Sequence, residues 1–111
     1  MKARAAIGDG NGQFSFNDIE VGEPVGREVL VRIRAAGVCH TDWDSLSWGR
    51  PLVLGHEGAG VVEAIGPEVT SVSLGDSVLL NWAIPCGYCF QCQRGNQVHC
   101  EEHPSIPQER T

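Results

Sequence analysis

From Met1 to Ile84 apolar and polar residues alternate with a period near two, and Gly and Pro break the alternation at short intervals. The pattern predicts a run of short strands. Met1–Ile7 reads as the first, followed by a glycine-rich turn at Gly8-Asp9-Gly10-Asn11-Gly12. Gln13–Val21 is extended, but Phe14 and Phe16 share one parity and Ile19 and Val21 the other. That change of phase predicts a bulge near Asn17-Asp18. Arg27–Ala36 alternates most cleanly, with Val29, Val31, Ile33 and Ala35 on one face and Arg32 and Arg34 on the other, as in a half-buried strand. A short helix is expected over Thr41–Trp48, starting near Thr41 or Asp42. Pro51–Leu54, Gly60–Ile65 and Ser77–Ile84 read as further extended segments, the last with Val78, Leu80, Trp82 and Ile84 on one face. Pro85–Cys100 is irregular and cysteine-rich, and Glu101–Thr111 is polar with no pattern that builds an element. Short strands with this punctuation point to a small, mainly β barrel.

At 111 residues the length fits one domain, which buries somewhat over ~60% of the surface its unfolded chain exposes. The composition is 41% apolar and 20% charged, which fits a globular protein and argues against disorder. A net charge of −6 counts against a nucleic-acid partner. No apolar run approaches the ~18 residues of a membrane span. The opening Met1-Lys2-Ala3-Arg4 leads into an apolar stretch broken at Gly8, too short for a secretory signal, so a cytoplasmic location is expected.

Five cysteines, an odd number, make a disulfide framework the weaker reading. Cys86, Cys89, Cys92 and Cys100 are spaced C-x2-C-x2-C-x7-C. Short gaps let one loop aim several sulfurs at a single centre, and the longer gap lets the chain return to close a tetrahedron, as in a structural zinc site. Gly87 and Gly95 suit the turns this requires. Ferredoxins also begin C-x2-C-x2-C, but their fourth Cys follows after three residues and precedes Pro, whereas Cys100 follows after seven and precedes Glu101. His99 offers an alternative ligand in a Cys3His set.

Cys39-His40-Thr41-Asp42 follows the clearest strand, and Gly55-His56-Glu57 precedes another. Separately, a lone Cys and a lone His are ordinary core residues. Together with Gly58-Ala59-Gly60, Gly66 and Val69, and with Gly37-Val38 ahead of Cys39, they resemble the signature of zinc-containing medium-chain alcohol dehydrogenases. The four-cysteine loop is similar to that family's structural zinc loop. The resemblance covers most of residues 27–100 and implies a GroES-like, partly open β-barrel spanning 1–111, with a zinc lobe at 85–101.

It also implies residue roles. Cys39 and His56 would be two ligands of a catalytic zinc, with Glu57 a neighbouring carboxylate able to approach the metal. Thr41 would take the alcohol's proton, and Asp42 would orient a ligating His. His40 would meet the cofactor pyrophosphate, and Trp48 and Trp82 would line the substrate pocket. Many relatives carry a His three residues after the relay hydroxyl; here Asp44 stands there, leaving Asp44, water or the cofactor ribose as the outer relay. The implied reaction oxidises a small alcohol to an aldehyde or ketone, with hydride transfer to NAD(P), in an enzyme that is oligomeric when whole.

Two things are missing from these 111 residues. The third catalytic ligand has no candidate if the lobe cysteines are committed elsewhere. No G-x-G-x-x-G lies between a strand and a helix, so a dinucleotide-binding unit is absent. The sequence is therefore expected to be a portion of a dehydrogenase, inactive alone. The alternative is a stand-alone zinc-binding β-barrel that serves as a structural or interaction module without turnover.

Overall fold

The computed structural model describes residues 1–81 and 84–102. Trp82, expected in the substrate pocket, lies outside the described residues. The chain packs as two compact units, Met1–Leu80 and a second beginning at Asn81. Among the described residues no helix is long and apolar enough to cross a membrane.

The first unit is mainly β, as its alternation predicts. It contains two open three-stranded sheets rather than one closed cylinder. In the first, β1 (Lys2–Gly8) lies between β2 (Phe14–Glu20) and β4 (Leu52–Val53). The second has β5 (Glu57–Ile65) between β3 (Val29–Gly37) and β6 (Ser77–Leu79). All pairings are antiparallel.

The bulge expected near Asn17-Asp18 is absent. β1 and β2 pair without interruption from Lys2↔Glu20 to Gly8↔Phe14. The phase change has another cause: the two faces of β2 do different work along its length. Phe14 and Phe16 lie on an exposed face, edge to face at 5.8 Å, with the Arg4 guanidinium over the Phe16 ring, while Ile19 is half-buried on the opposite face.

The bulges occur instead between β3 and β5. The partner of Leu30 is Ala64 and that of Val31 is Val62, so Glu63 is extra on β5. Ile33 faces Gly60 and Ala35 faces Ala59, so Arg34 is extra on β3. One extra residue on each strand cancels the other, and the original register returns at Ala35↔Ala59 and holds to Gly37↔Glu57. The Arg32 guanidinium pairs with the bulged Glu63. Gly60 makes the close approach possible, because a Cβ there would lie 2.1 Å from the Arg32 carbonyl oxygen.

Three strand expectations need correction, the first being that β6 stops at Leu79, short of the expected Ile84. β5 begins at Glu57 rather than Gly60, since Gly58 and Gly60 are strand residues made small by crowding, not loop residues. β3 is less buried than its alternation suggests: Val29 and Ile33 are exposed and Val31 is half-buried. Alternation reports which residues share a face, and burial also needs a second layer over that face. The buried side chains of this unit include Ser45, Leu46 and Val62.

Replacing Gly60 by Ala should lower unfolding free energy by about 2–3 kcal/mol, because the new methyl meets backbone rather than a side chain that can turn aside. Gly22→Ala, whose Cβ meets nothing within 4 Å, should stay within about 0.5 kcal/mol of the parent. Urea unfolding followed by circular dichroism measures both.

Candidate metal centres

The paired ends of β3 and β5 bring two distant segments together. Gly37 and Glu57 are partners, so the chain leaving β3 and the chain entering β5 start side by side. Gly37 is needed for more than its position at a strand end. A Cβ there would sit 3.1 Å from the Glu57 Oε1 atom and crowd that carboxylate.

After Gly37 the chain turns into α1 (His40–Ser45), with Cys39 as its N-cap. The helix starts before the expected Thr41 and ends before Trp48. Its start is set by a local lock: the Cys39 N–H donates to Asp42 Oδ2 at 3.0 Å, and the Asp42 N–H donates to the Cys39 carbonyl oxygen at 3.0 Å. That lock fixes the Cys39 backbone, and so the direction in which its sulfur leaves the chain.

The other Asp42 oxygen, Oδ1, lies 3.9 Å from His56 Nδ1, while His56 Nε2 lies 4.0 Å from Glu57 Oε2. Asp42 is mostly buried, which strengthens its influence on both neighbours. One carboxylate thus holds the Cys39 backbone and faces the His56 ring. Ligand atoms of Cys39, His56 and Glu57 all lie within 4.8 Å of one another, a thiol, an imidazole and a carboxylate gathered closely enough to share one ion. Thr41 Oγ1 is 3.6 Å from Cys39 Sγ, and His40 Nδ1 is 3.4 Å from Asp44 Oδ2 one helical turn on. Trp48 is half-exposed beyond the helix. Trp43, not singled out from the sequence, is 72% exposed on α1. Its signal was an indole at a position the helical pattern had no need to bury.

The second unit is organised around sulfur. Cys86, Cys89, Cys92 and Cys100 place their sulfurs within 4.8 Å of one another, and all are free of disulfides. Cys86 and Cys92 sulfurs are 3.9 Å apart, and Cys89 and Cys100 sulfurs 4.0 Å apart. A tetrahedron with ~2.3 Å metal–sulfur bonds separates its corners by ~3.8 Å, so the set fits one zinc-sized ion. His99 closes the 3-10 turn Gln97–His99 on the surface, outside the group.

Backbone amides converge on these sulfurs. Cys86 Sγ accepts from the N–H groups of Tyr88 and Cys89, Cys89 Sγ from Cys92, and Cys100 Sγ from Cys86. Gly87 and Gly95, at φ 85° and 83°, make the turns that aim them. Cys89 is also the N-cap of α2 (Phe90–Gln93). Amides of Glu101 and Cys92 draw the Cys89 thiol below its ordinary value, whereas burial pushes the Cys92 thiol up to about 12. A buried thiol of that kind stays protonated without a cation, and a bound metal removes its proton. The donor chemistry and spacing of the set fit such an ion.

Comparison with known proteins agrees with this arrangement. Residues 25–108 match the family model described as the alcohol dehydrogenase GroES-like domain. An S-(hydroxymethyl)glutathione dehydrogenase from Synechocystis sp. is 44% identical over an alignment of 106 positions that covers 90% of this chain and 29% of that protein. A solved alcohol dehydrogenase zinc-binding domain protein from Burkholderia ambifaria superposes with a TM-score of 0.85 at 40% identity, over 93% of this chain and 29% of its own. Benzyl alcohol dehydrogenase from Acinetobacter calcoaceticus gives a TM-score of 0.85 at 36% identity, over 100% of this chain and 33% of its own. The chain thus spans about a third or less of the proteins it resembles. With one mixed thiol, imidazole and carboxylate group in a mainly β unit, one four-cysteine group in a loop lobe, and the family match running through both, the chain belongs to the alcohol dehydrogenase GroES-like domain family.

Proposed function

We propose that these 111 residues are the catalytic-domain portion of a zinc-dependent, NAD(P)-linked alcohol dehydrogenase that interconverts a small alcohol and its aldehyde or ketone in the cytoplasm. The observation that carries this reading is the convergence of Cys39, His56 and Glu57 within 4.8 Å, backed by Asp42. A purely structural barrel has no need of that group, so the module reading gains nothing from it.

Cys39 and His56 would hold a catalytic zinc together with a third ligand from outside this chain. Bound there, the metal supplies a Lewis acid that makes the hydroxyl of an alcohol more acidic. Everything else falls to the protein. Asp42 Oδ1, 3.9 Å from His56 Nδ1, stands on the ring's far side from Glu57 and would help orient the imidazole toward the metal. The Thr41 hydroxyl, next to Cys39 Sγ, accepts the substrate proton and passes it on. His40 and Asp44, paired on the exposed side of α1, offer an outlet toward cofactor and solvent. His40 is the proposed contact for the cofactor pyrophosphate, and Trp48 and Trp82 are the proposed walls of the substrate pocket. Glu57, half-exposed, is available to meet the metal as other ligands exchange. The four lobe cysteines would hold a second, closed zinc, whose binding supplies on the order of 10 kcal/mol to the folded state.

Metal analysis of the purified chain should find one zinc that resists dialysis and a second ion held weakly. Cys39→Ser should abolish the weak site and leave the tight zinc, while Cys92→Ser should do the reverse. Iron with sulfide in place of zinc, or loss of both metals in either variant, contradicts two separate centres.

In the whole dehydrogenase, Thr41→Val should cut kcat about 10²–10⁴-fold with little change in metal content. Asp42→Asn should cost about 10–100-fold in affinity for the weakly held ion. The 111 residues alone should give no alcohol-dependent reduction of NAD(P), read by absorbance of the reduced cofactor.

A further inference from the structure

The glycine-rich turn at Gly8–Gly12 has no part in the chemistry above, yet it grips the segment that joins the two proposed ligands. The Gly12 N–H donates to the Leu46 carbonyl oxygen at 2.8 Å, and the Gly49 N–H donates to the Gly10 carbonyl oxygen at 3.0 Å. Just beyond, β4 pairs with β1 through Leu52↔Gly8 and Val53↔Ile7, and the Leu54 N–H donates to the Ala6 carbonyl oxygen at 2.9 Å. Residues 46–54 leave α1 and lead to His56, and backbone hydrogen bonds hold them at Leu46, at Gly49 and through the β4 pairing. Leu46, buried at the end of α1, packs toward Gly8, where a Cβ would lie 3.2 Å from its Cδ2.

Gly10 is the tightest point of the grip. It is buried, its φ is 82°, and a Cβ there would lie 2.3 Å from the Arg50 backbone nitrogen and 2.8 Å from the Arg50 carbonyl carbon and oxygen. Backbone cannot turn aside as a side chain can, so any larger residue must push the 46–50 segment away from β1. The opposite side of the Cys39–His56 excursion is already fixed by Gly37↔Glu57. A push at Arg50 therefore has to be taken up by α1 and the approach to His56.

We propose that Gly10 is a positioning residue for the Cys39–His56–Glu57 centre: the absence of a side chain at position 10 lets the turn clamp residues 46–50 and hold the two ligand-bearing segments at metal-binding separation. The proposal rests on the reading of that group as a metal centre.

The test titrates Co(II) into the 111-residue chain with its lobe loaded with zinc, reading the thiolate-to-metal absorption that Cys39 contributes. Gly10→Ala should weaken Co(II) binding about 10–100-fold, the range commanded by groups that hold a ligand in place. Gly75→Ala is the strain-matched control: its φ is 88°, but its Cβ meets nothing within 4 Å. It should lose only the stability that the positive φ commands and keep the parent affinity. Equal Co(II) affinity in the two variants, with circular dichroism showing both folded, overturns the proposal. Should Gly10→Ala fail to fold, Gly8→Ala, which presses only on Leu46 and Leu54 side chains, should weaken binding several-fold in the same direction, and an unchanged affinity there overturns it. If the parent chain shows no absorption that Cys39→Ser removes, the metal-centre reading itself fails and takes the proposal with it.

Discussion

The antiparallel pairing that ends at Gly37↔Glu57 is the constraint on which the proposed chemistry depends. Cys39 and His56 are seventeen positions apart in sequence, and no local element could bring them together. The sheet does so by running β3 out and β5 back from adjacent ends. The two bulges matter for the same reason. A single extra residue would shift one strand past the other and move each subsequent side chain to the opposite face. Two that cancel let the strands twist more strongly while arriving at the ligands in register.

From that anchor, the site is refined by small groups rather than large ones. Gly37 leaves room for the Glu57 carboxylate, Gly58 for Leu80 and Ile33, and Gly60 for the Arg32 carbonyl. Asp42 then couples the two ligand segments, since one oxygen binds the Cys39 amide and the other faces the His56 ring. The lobe uses a different principle. Its amides point at sulfur, and among the described residues its buried group consists of cysteines. In the proposed reading, coordination would take the place of a hydrophobic core there, as expected where a loop must be ordered without layers to pack.

Much of this was legible in the residues. Alternation located β1, β3 and the mainly β class, and the cysteine spacing located the lobe together with Gly87 and Gly95 as its turns. The failures have physical causes. Helix α1 begins at His40 because an aspartate three residues after Cys39 caps it, and cysteine is not among the usual capping residues that mark a start in sequence. β5 extends through Glu57–Ala59 because glycine inside a strand looks like a loop until the neighbour that crowds it is known. The parity change at Ile19 mimics a bulge because sequence shows which residues share a face but not which face is covered. The glycine turn at 8–12 was legible as a turn, but its grip on residues 46–49 joins segments that only the tertiary structure places together.

The four sulfurs of the lobe lie within fifteen consecutive positions, whereas the Cys39–His56 group exists only once β3 and β5 have paired along their length. Contact order therefore differs sharply between the two centres. Closing the lobe costs little loop entropy and demands no long-range pairing, while the other group waits for the slowest kind of assembly in the chain. During synthesis or refolding, the cysteine-rich end of the molecule has the shorter search.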